Sequence, residues 1–358
     1  MTTHRRRFIV SALAATGFLL LSGVSPAHDP PFTTEFDRGR CTFTTTGSNP
    51  YFPLWPGYAL LLEGEDEDDD GELVDVSVLL TVLPDTERVD GVLTRVFEER
   101  ESEDGELVEV SRNFAAVCRE TGDIWYFGED VDNYEEGEIA NHDGSWRAGI
   151  GGAAPGVIML GSPVLGARYQ QENAPGVAQD RGEVVSLGEE VVVPAGTYDR
   201  TLGVVDTNAL DPDEADPKFY AYGVGLIADE ALQLTEITPP PCQPDATTHC
   251  FNDGRFKVTA EWEVSDENSG PGQASHPSDD GGEFWFFSPN NPELLVKVLD
   301  GCGVPGFNGF WVFAGGLTNV GVTVTVVDTQ SEETKVYENP VGVAFAPVLD
   351  TRAFPTCP

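Results

Sequence analysis

Lysine is nearly missing from this chain. Only four of the 20 basic residues are Lys and 16 are Arg, set against 61 acids, for a formal net charge of −41. A chain so short of positive charge cannot present the basic face that phosphate neutralisation needs, which excludes nucleic-acid binding of that kind and argues against anionic membrane surfaces. Histidine is scarce too: beyond residue 27 there are only His28, His142, His249 and His276. No pair of cysteines forms a CxxC, so the spacing is wrong for zinc. There is no G-x-S-x-G, and Gly161-Ser162-Pro163 lacks the elbow pattern of a serine hydrolase. Beyond the N-terminus no apolar run approaches the length of a membrane helix, and no capped stretch sustains helical periodicity.

What is present fits an exported protein. The 358 residues are enough for about two domains, and 40% hydrophobic residues with six Trp are enough to build cores. Residues 1–27 read as a signal peptide: Arg5, Arg6 and Arg7 form the charged start, Phe8 to Val24 the apolar stretch, and Ser25-Pro26-Ala27 the cleavage site. Arg5-Arg6-Arg7-Phe8-Ile9 also resembles a twin-arginine signal. No lipobox Cys follows. The expected address is periplasmic or extracellular, without a membrane span. All six cysteines (Cys41, Cys118, Cys242, Cys250, Cys302 and Cys357) lie in the mature chain, and an even count in an oxidising compartment reads as disulfides. Division into domains favours Cys41–Cys118, Cys242–Cys250 and Cys302–Cys357 among the alternatives.

Thr238-Pro239-Pro240-Pro241-Cys242-Gln243-Pro244 is the strongest break and reads as a stiff linker over 238–244. Residues 28–48 read as an N-terminal extension. Residues 49–237 read as an antiparallel meander, a curved sheet or half-barrel, in which each strand pairs with the next. Asp70-Gly71 and Asp104-Gly105 are hairpin turns inside the related strings DDGELVDVS (69–77) and EDGELVEVS (103–111), and Glu136-Gly137 is a weaker turn. Strands are expected at Val74–Leu83, Val92–Glu98, Leu107–Val117, Ile124–Phe127, Gly182–Leu187, Arg200–Val205 and Lys218–Tyr222. Residues 245–358 carry short apolar or alternating runs at close spacing, the pattern of a β-sandwich. The expected class is therefore all-β.

Several strings resemble a family of exported bacterial proteins of unknown function. They are Asn49-Pro50-Tyr51-Phe52-Pro53-Leu54-Trp55-Pro56-Gly57, Ile124-Trp125-Tyr126-Phe127-Gly128-Glu129-Asp130 and Phe219-Tyr220-Ala221-Tyr222-Gly223-Val224-Gly225-Leu226, with Tyr222 where that family has Pro. The strings around Cys250-Phe251-Asn252-Asp253-Gly254-Arg255-Phe256, Gly270-Pro271-Gly272-Gln273-Ala274, Phe284-Trp285-Phe286-Phe287 and Phe310-Trp311-Val312-Phe313 resemble a second module that recurs at the C-termini of exported bacterial proteins. The resemblance implies exported β modules and carries no catalytic, cofactor or metal residue.

Chemistry is thinly signalled. Ser275-His276-Pro277-Ser278-Asp279 sets triad residue types side by side, but triads converge from separate elements and this segment reads as a loop. Asp66, Asp68 and Asp70 follow the first half of a calcium loop, yet Ser77 stands where that loop needs Glu. His28, freed as an N-terminus after Ala27, is a further candidate, for copper. Acids are so many that a glycosidase-like pair carries no information. Trp125-Tyr126-Phe127 and Phe284-Trp285-Phe286-Phe287 read first as strands buried on both faces and second as an aromatic ligand wall. No cofactor is expected. The leading function is a non-catalytic binding or surface-structural protein, with a protein, a glycan or a small apolar ligand as partner. A carrier of a small apolar ligand and a secreted hydrolase are the alternatives.

Overall fold

The computed structural model describes residues 31–357 apart from 46, 68–72, 212–214 and 266. The signal peptide, the cleavage site, His28 and the Asp70-Gly71 turn lie outside the described residues, as do Asp68 and Asp70. The chain is all-β and divides into two compact units, which part between Thr238 and Pro239, with Trp55–Gly57 grouped with the second.

The first unit is built on strands β1 (Ala59–Glu67), β2 (Leu73–Val89), β3 (Val92–Glu103), β4 (Glu106–Cys118), β5 (Ile124–Glu135), β6 (Ala154–Met159), β7 (Arg168–Gln170), β8 (Glu172–Asn173), β9 (Asp180–Leu187), β10 (Thr201–Asn208), β11 (Asp216–Ala221), β12 (Gly225–Asp229) and β13 (Leu232–Thr238). All ladders among them are antiparallel, in the order β7-β9-β10-β11-β12-β13-β1-β2-β3-β4-β5-β6-β8. Tight turns join the central hairpins. Asp90-Gly91, Asp104-Gly105 and Glu136-Gly137 all have both residues at positive φ, the type I′ geometry that matches strand twist.

The expected meander holds locally but goes further than a half-barrel. The last strand, β13, returns to pair with the first, β1, Leu234 opposite Leu62. The two ends of the path then meet at one short segment. Residues 168–170 pair with β9, while residues 172–173 pair with β6 on the other side, so a single stretch around Gln171 brings the sheet to near closure. Gly156 on β6 is required there, because a Cβ would lie 2.2 Å from the Gln171 carbonyl. Closure follows from strand twist accumulated over many strands, with bulges in β2, β5 and β9 to bend them.

The stretch read as an N-terminal extension is part of this unit. Phe43–Thr44 pairs with the end of β4, and Cys41 is bonded to Cys118. Phe36 and Phe43 pack edge-on against Trp125, and Phe43 also meets Phe127. That explains the Trp125-Tyr126-Phe127 string. Trp125 and Phe127 are buried on the outer face under this N-terminal cover, and Tyr126 is buried on the inner face.

The second unit has two five-stranded sheets. One holds β14 (Thr248–Phe251), β15 (Phe256–Ser265), β16 (Asn268–Pro271), β21 (Gly321–Asp328) and β22 (Thr334–Asn339). The other holds β17 (Gln273–Ser275), β18 (Gly281–Trp285), β19 (Pro292–Asp300), β20 (Phe310–Gly316) and β23 (Val348–Phe354). Alternate residues from both sheets, including Val258, Val324, Phe284, Val296 and Val312, enter one apolar core. Phe284 and Phe286 belong to it, whereas Phe287 is exposed. Cys242–Cys250 and Cys302–Cys357 lie in this unit. Cys242, within the stretch read as a stiff linker, is buried and bonded to Cys250.

Candidate functional site

The inner face of the first unit follows from strand alternation. Leu60, Leu80, Glu99 and Ser111 stand opposite one another across β1 to β4, so their side chains share one side of the sheet. In the next row Val82, Phe97 and Asn113 do the same. On the other side of the ring, Gly182, Asp206 and Asp216 form a row across β9 to β11, and Lys218 faces Asp229 across β11 and β12. These faces enclose a lumen of about 550 Å³.

Two kinds of side chain line the lumen. Some are apolar: Leu60, Val78, Leu80, Val82 and Leu232, with Phe52 and Tyr58. The others are acidic. Eleven carboxyl groups line the lumen among the described residues, and Lys218 is the one cationic side chain that lines it. Lys218 Nζ lies 3.2 Å from Asp229 and 3.6 Å from Asp206. Gln171, from the closing segment, donates to Asp206 at 2.9 Å. The Tyr126 hydroxyl donates to Asn113 and also meets Glu129, which β5 turns inward just after its bulge. Gly128 makes that bulge: its φ is +129° and a Cβ would lie 2.2 Å from the Trp146 carbonyl.

Burial dominates the acid chemistry here. It pushes Glu99 up to about 7, with Lys218 restraining the rise and the charges of Glu109 and Asp229 adding to it. Glu129 is raised by burial and by the charges of Glu99, Glu109 and Asp180. Glu172 is raised well above the usual range by burial, then by Glu129 and Asp180. Asp206 rises to about 6 through burial, against the pull of Lys218 and the Gln171 amide. For Lys218 burial disfavours the charge, but Asp229 and Asp206 outweigh it and hold the ammonium charged. Near neutral pH these acids therefore carry bound protons as well as negative charge.

The residues singled out from sequence lie elsewhere. His276 is exposed and pairs with Glu283 at 3.1 Å, while the Ser278 hydroxyl donates to the Gly281 carbonyl at 2.9 Å, so the loop assembles no triad. His249 is buried between Phe251 and Phe284 with Nε2 on the Glu283 carbonyl, and burial lowers its pKa. His142 is exposed beside Asp132. Of the calcium candidates only Asp66 is described, and it lines the lumen as part of β1. The one three-residue ligand group among the described residues is Cys41, Cys118 and Glu120, whose sulfurs are already joined to each other.

Sequence reasoning missed the lumen acids, although a local signal existed. Glu98 to Glu103 reads EERESE inside a strand, with charge on both faces. A strand that is charged on both sides cannot border a dry core. The outward members, Glu98, Arg112 and Asp132, form an ion ladder across β3 to β5, where a lipid-facing barrel would need an apolar band. No helix among the described residues is long and apolar enough to cross a membrane.

Two of the strings that carry the resemblance are joined directly, Pro50 accepting from Gly223. Beside them Asn49 donates to the Gly122 and Leu160 carbonyls and Tyr58 donates to Val224. Phe52 reaches inward to pack on Phe97. Compared with protein families, with curated proteins and with solved structures, the chain finds no match in any of the three.

Proposed function

We propose that this is an exported, non-catalytic binding protein whose site is the lumen of its first unit. The observation that carries the reading is a volume of about 550 Å³ inside the sheet, within the range of small-molecule pockets. A sheet serving only as a rigid wall fills its interior with side chains. The second unit is read as a β-sandwich, a stable appendage closed by its own disulfides. The signal-like N-terminus and the resemblance to exported bacterial modules support export. The lumen is not the continuous apolar hollow that a wholly apolar cargo needs, which moves weight from that carrier reading to an amphipathic ligand.

Native mass spectrometry of the mature protein, purified from an exporting host, tests this. The expected result is a small-molecule mass that is lost on denaturation, and that is diminished in Leu80→Trp, whose indole projects into the lumen. The same adduct on both proteins, or no adduct on either, overturns the reading. Paired carboxyls of differing protonation also serve glycosidases, so a panel of nitrophenyl glycosides is run in parallel, with no turnover expected.

A further inference from the structure

We infer that the lumen takes an organic cation, a protonated amine or guanidinium bearing an apolar chain or ring, and that protons leave the lumen as the cation enters. This rests on the lumen being the binding site and names the class of its ligand.

The mixed lining favours a ligand with both an apolar part and a positive charge. A neutral apolar ligand would cover Leu60 and Leu80 but take water away from the acids among them, a costly arrangement. An anion would meet eleven carboxyls and one ammonium already clamped by Asp206 and Asp229. A bare divalent ion needs carboxylate oxygens converging on one point. Among the described residues no three lumen carboxylates come within 4.8 Å of one another, and an ion would leave most of the volume unfilled. An amphipathic cation meets the apolar and the acidic side chains at once. Its charge is placed at Glu129, which is buried on the inner face beside the Tyr126 hydroxyl and whose strongest charged influences, Glu99, Glu109 and Asp180, are acids.

Proton release follows from the same geometry. With Glu99 held up to about 7, it keeps its proton at pH 5 and is mostly ionised at pH 8. A bound cation stabilises the ionised forms of Glu99, Glu129 and Glu172, so binding expels their protons and weakens as pH falls.

Calorimetric titration of the full mature chain decides it, using octylammonium chloride, octanol, octanoate and calcium chloride as probes at pH 8 and pH 5. Octylammonium should bind at pH 8 and at least about tenfold more weakly at pH 5. Its heat at pH 7 should vary with buffer ionisation enthalpy in the sense of proton release. Glu129→Gln/Glu172→Gln should weaken it at least about tenfold, and because that variant could disturb folding, the proton release of the wild type stands as an independent readout. Octanol or octanoate binding as tightly as octylammonium, blocked by Leu80→Trp, keeps the lumen as the site but overturns its cation preference. Calcium matching octylammonium overturns the organic class. Octylammonium binding undiminished in Leu80→Trp overturns both the inference and the lumen reading, and no octylammonium binding overturns the inference.

Discussion

Arg95 and Asp328 are both fully buried charges, and their partners differ in kind. Arg95 spends its guanidinium on backbone: it donates to Pro84 O at 2.7 Å, Thr45 O at 3.1 Å, and Leu83 and Asp85 O at 3.3 Å, which fixes the bulge in β2. Asp328 instead faces Arg255 in a two-pronged pair at 3.1 and 2.9 Å, with Thr356 donating at 2.7 Å. Burial alone would raise the Asp328 pKa, but Arg255, Thr356 and the Gln330 amide overcome it and hold it at about 2. Asp328→Asn leaves Arg255 buried against an amide and should destabilise the second unit by about 3–5 kcal/mol in denaturant titration. The pH sign follows from the lowered value. The pair's contribution is complete above about pH 4, the unfolded range, and is lost as pH falls toward 2, so the variant should also lose its share of the acid-unfolding slope. Neither charge was legible as buried in the sequence. Each sits in an alternating strand beside an apolar residue, Val96 and Val327, and the partners that take it out of water are distant: 10 to 50 positions away for Arg95, and 28 and 73 for the side chains that meet Asp328.

Elements were far more legible than single side chains. Asp104-Gly105 and Glu136-Gly137 turn as the sequence indicates, because Gly and a short acid tolerate the positive φ that a two-residue hairpin needs. β1 and β13 were not anticipated. The acids from Glu63 onward mask the apolar start of β1, and the proline run that follows β13 draws attention from its Leu232, Leu234 and Ile237. Their pairing joins chain segments about 170 positions apart, which no local pattern announces. The N-terminal strap was underestimated in the same way. Phe43–Thr44 gains its place from the Cys41–Cys118 bond and from the rings of Trp125 and Phe127. Replacing both cysteines by Ala should cost the first unit about 2–5 kcal/mol, since the bond closes a separation of 77 residues. A red shift of Trp emission, as the strap frays from Trp125, is the accompanying signal; unchanged emission and stability would mean that aromatic packing holds the strap alone.

At the scale of the whole molecule the net charge of −41 was plain from composition, but the direction in which each acid points was not. Acids on the outside repel through water and are screened by salt, with a Debye length of about 10 Å at 0.1 M. Acids in the lumen are shielded from that screening and respond to pH. Thermal melting therefore separates the two. Raising salt from about 0.05 M to about 1 M should raise the melting temperature at fixed pH. At high salt a fall should remain between about pH 5 and pH 8, because Glu99 and Asp206 bind protons more strongly folded than unfolded, so stability declines as pH rises through that window. A flat salt response removes the surface contribution, and a flat pH response at high salt removes the lumen contribution.

Near closure of the sheet also bears on how the chain reaches this state. The pairing of β13 with β1, like the bridging segment around Gln171, forms only after distant parts of the chain have met, so the ring is completed late in folding. Until then β1 is an open edge, with unpaired amides and carbonyls facing any other nascent chain. The same strand carries Glu63, Glu65, Asp66 and Glu67. Negative charge on a waiting edge repels its copies, so these acids guard the unfinished ring against self-association while the chain folds.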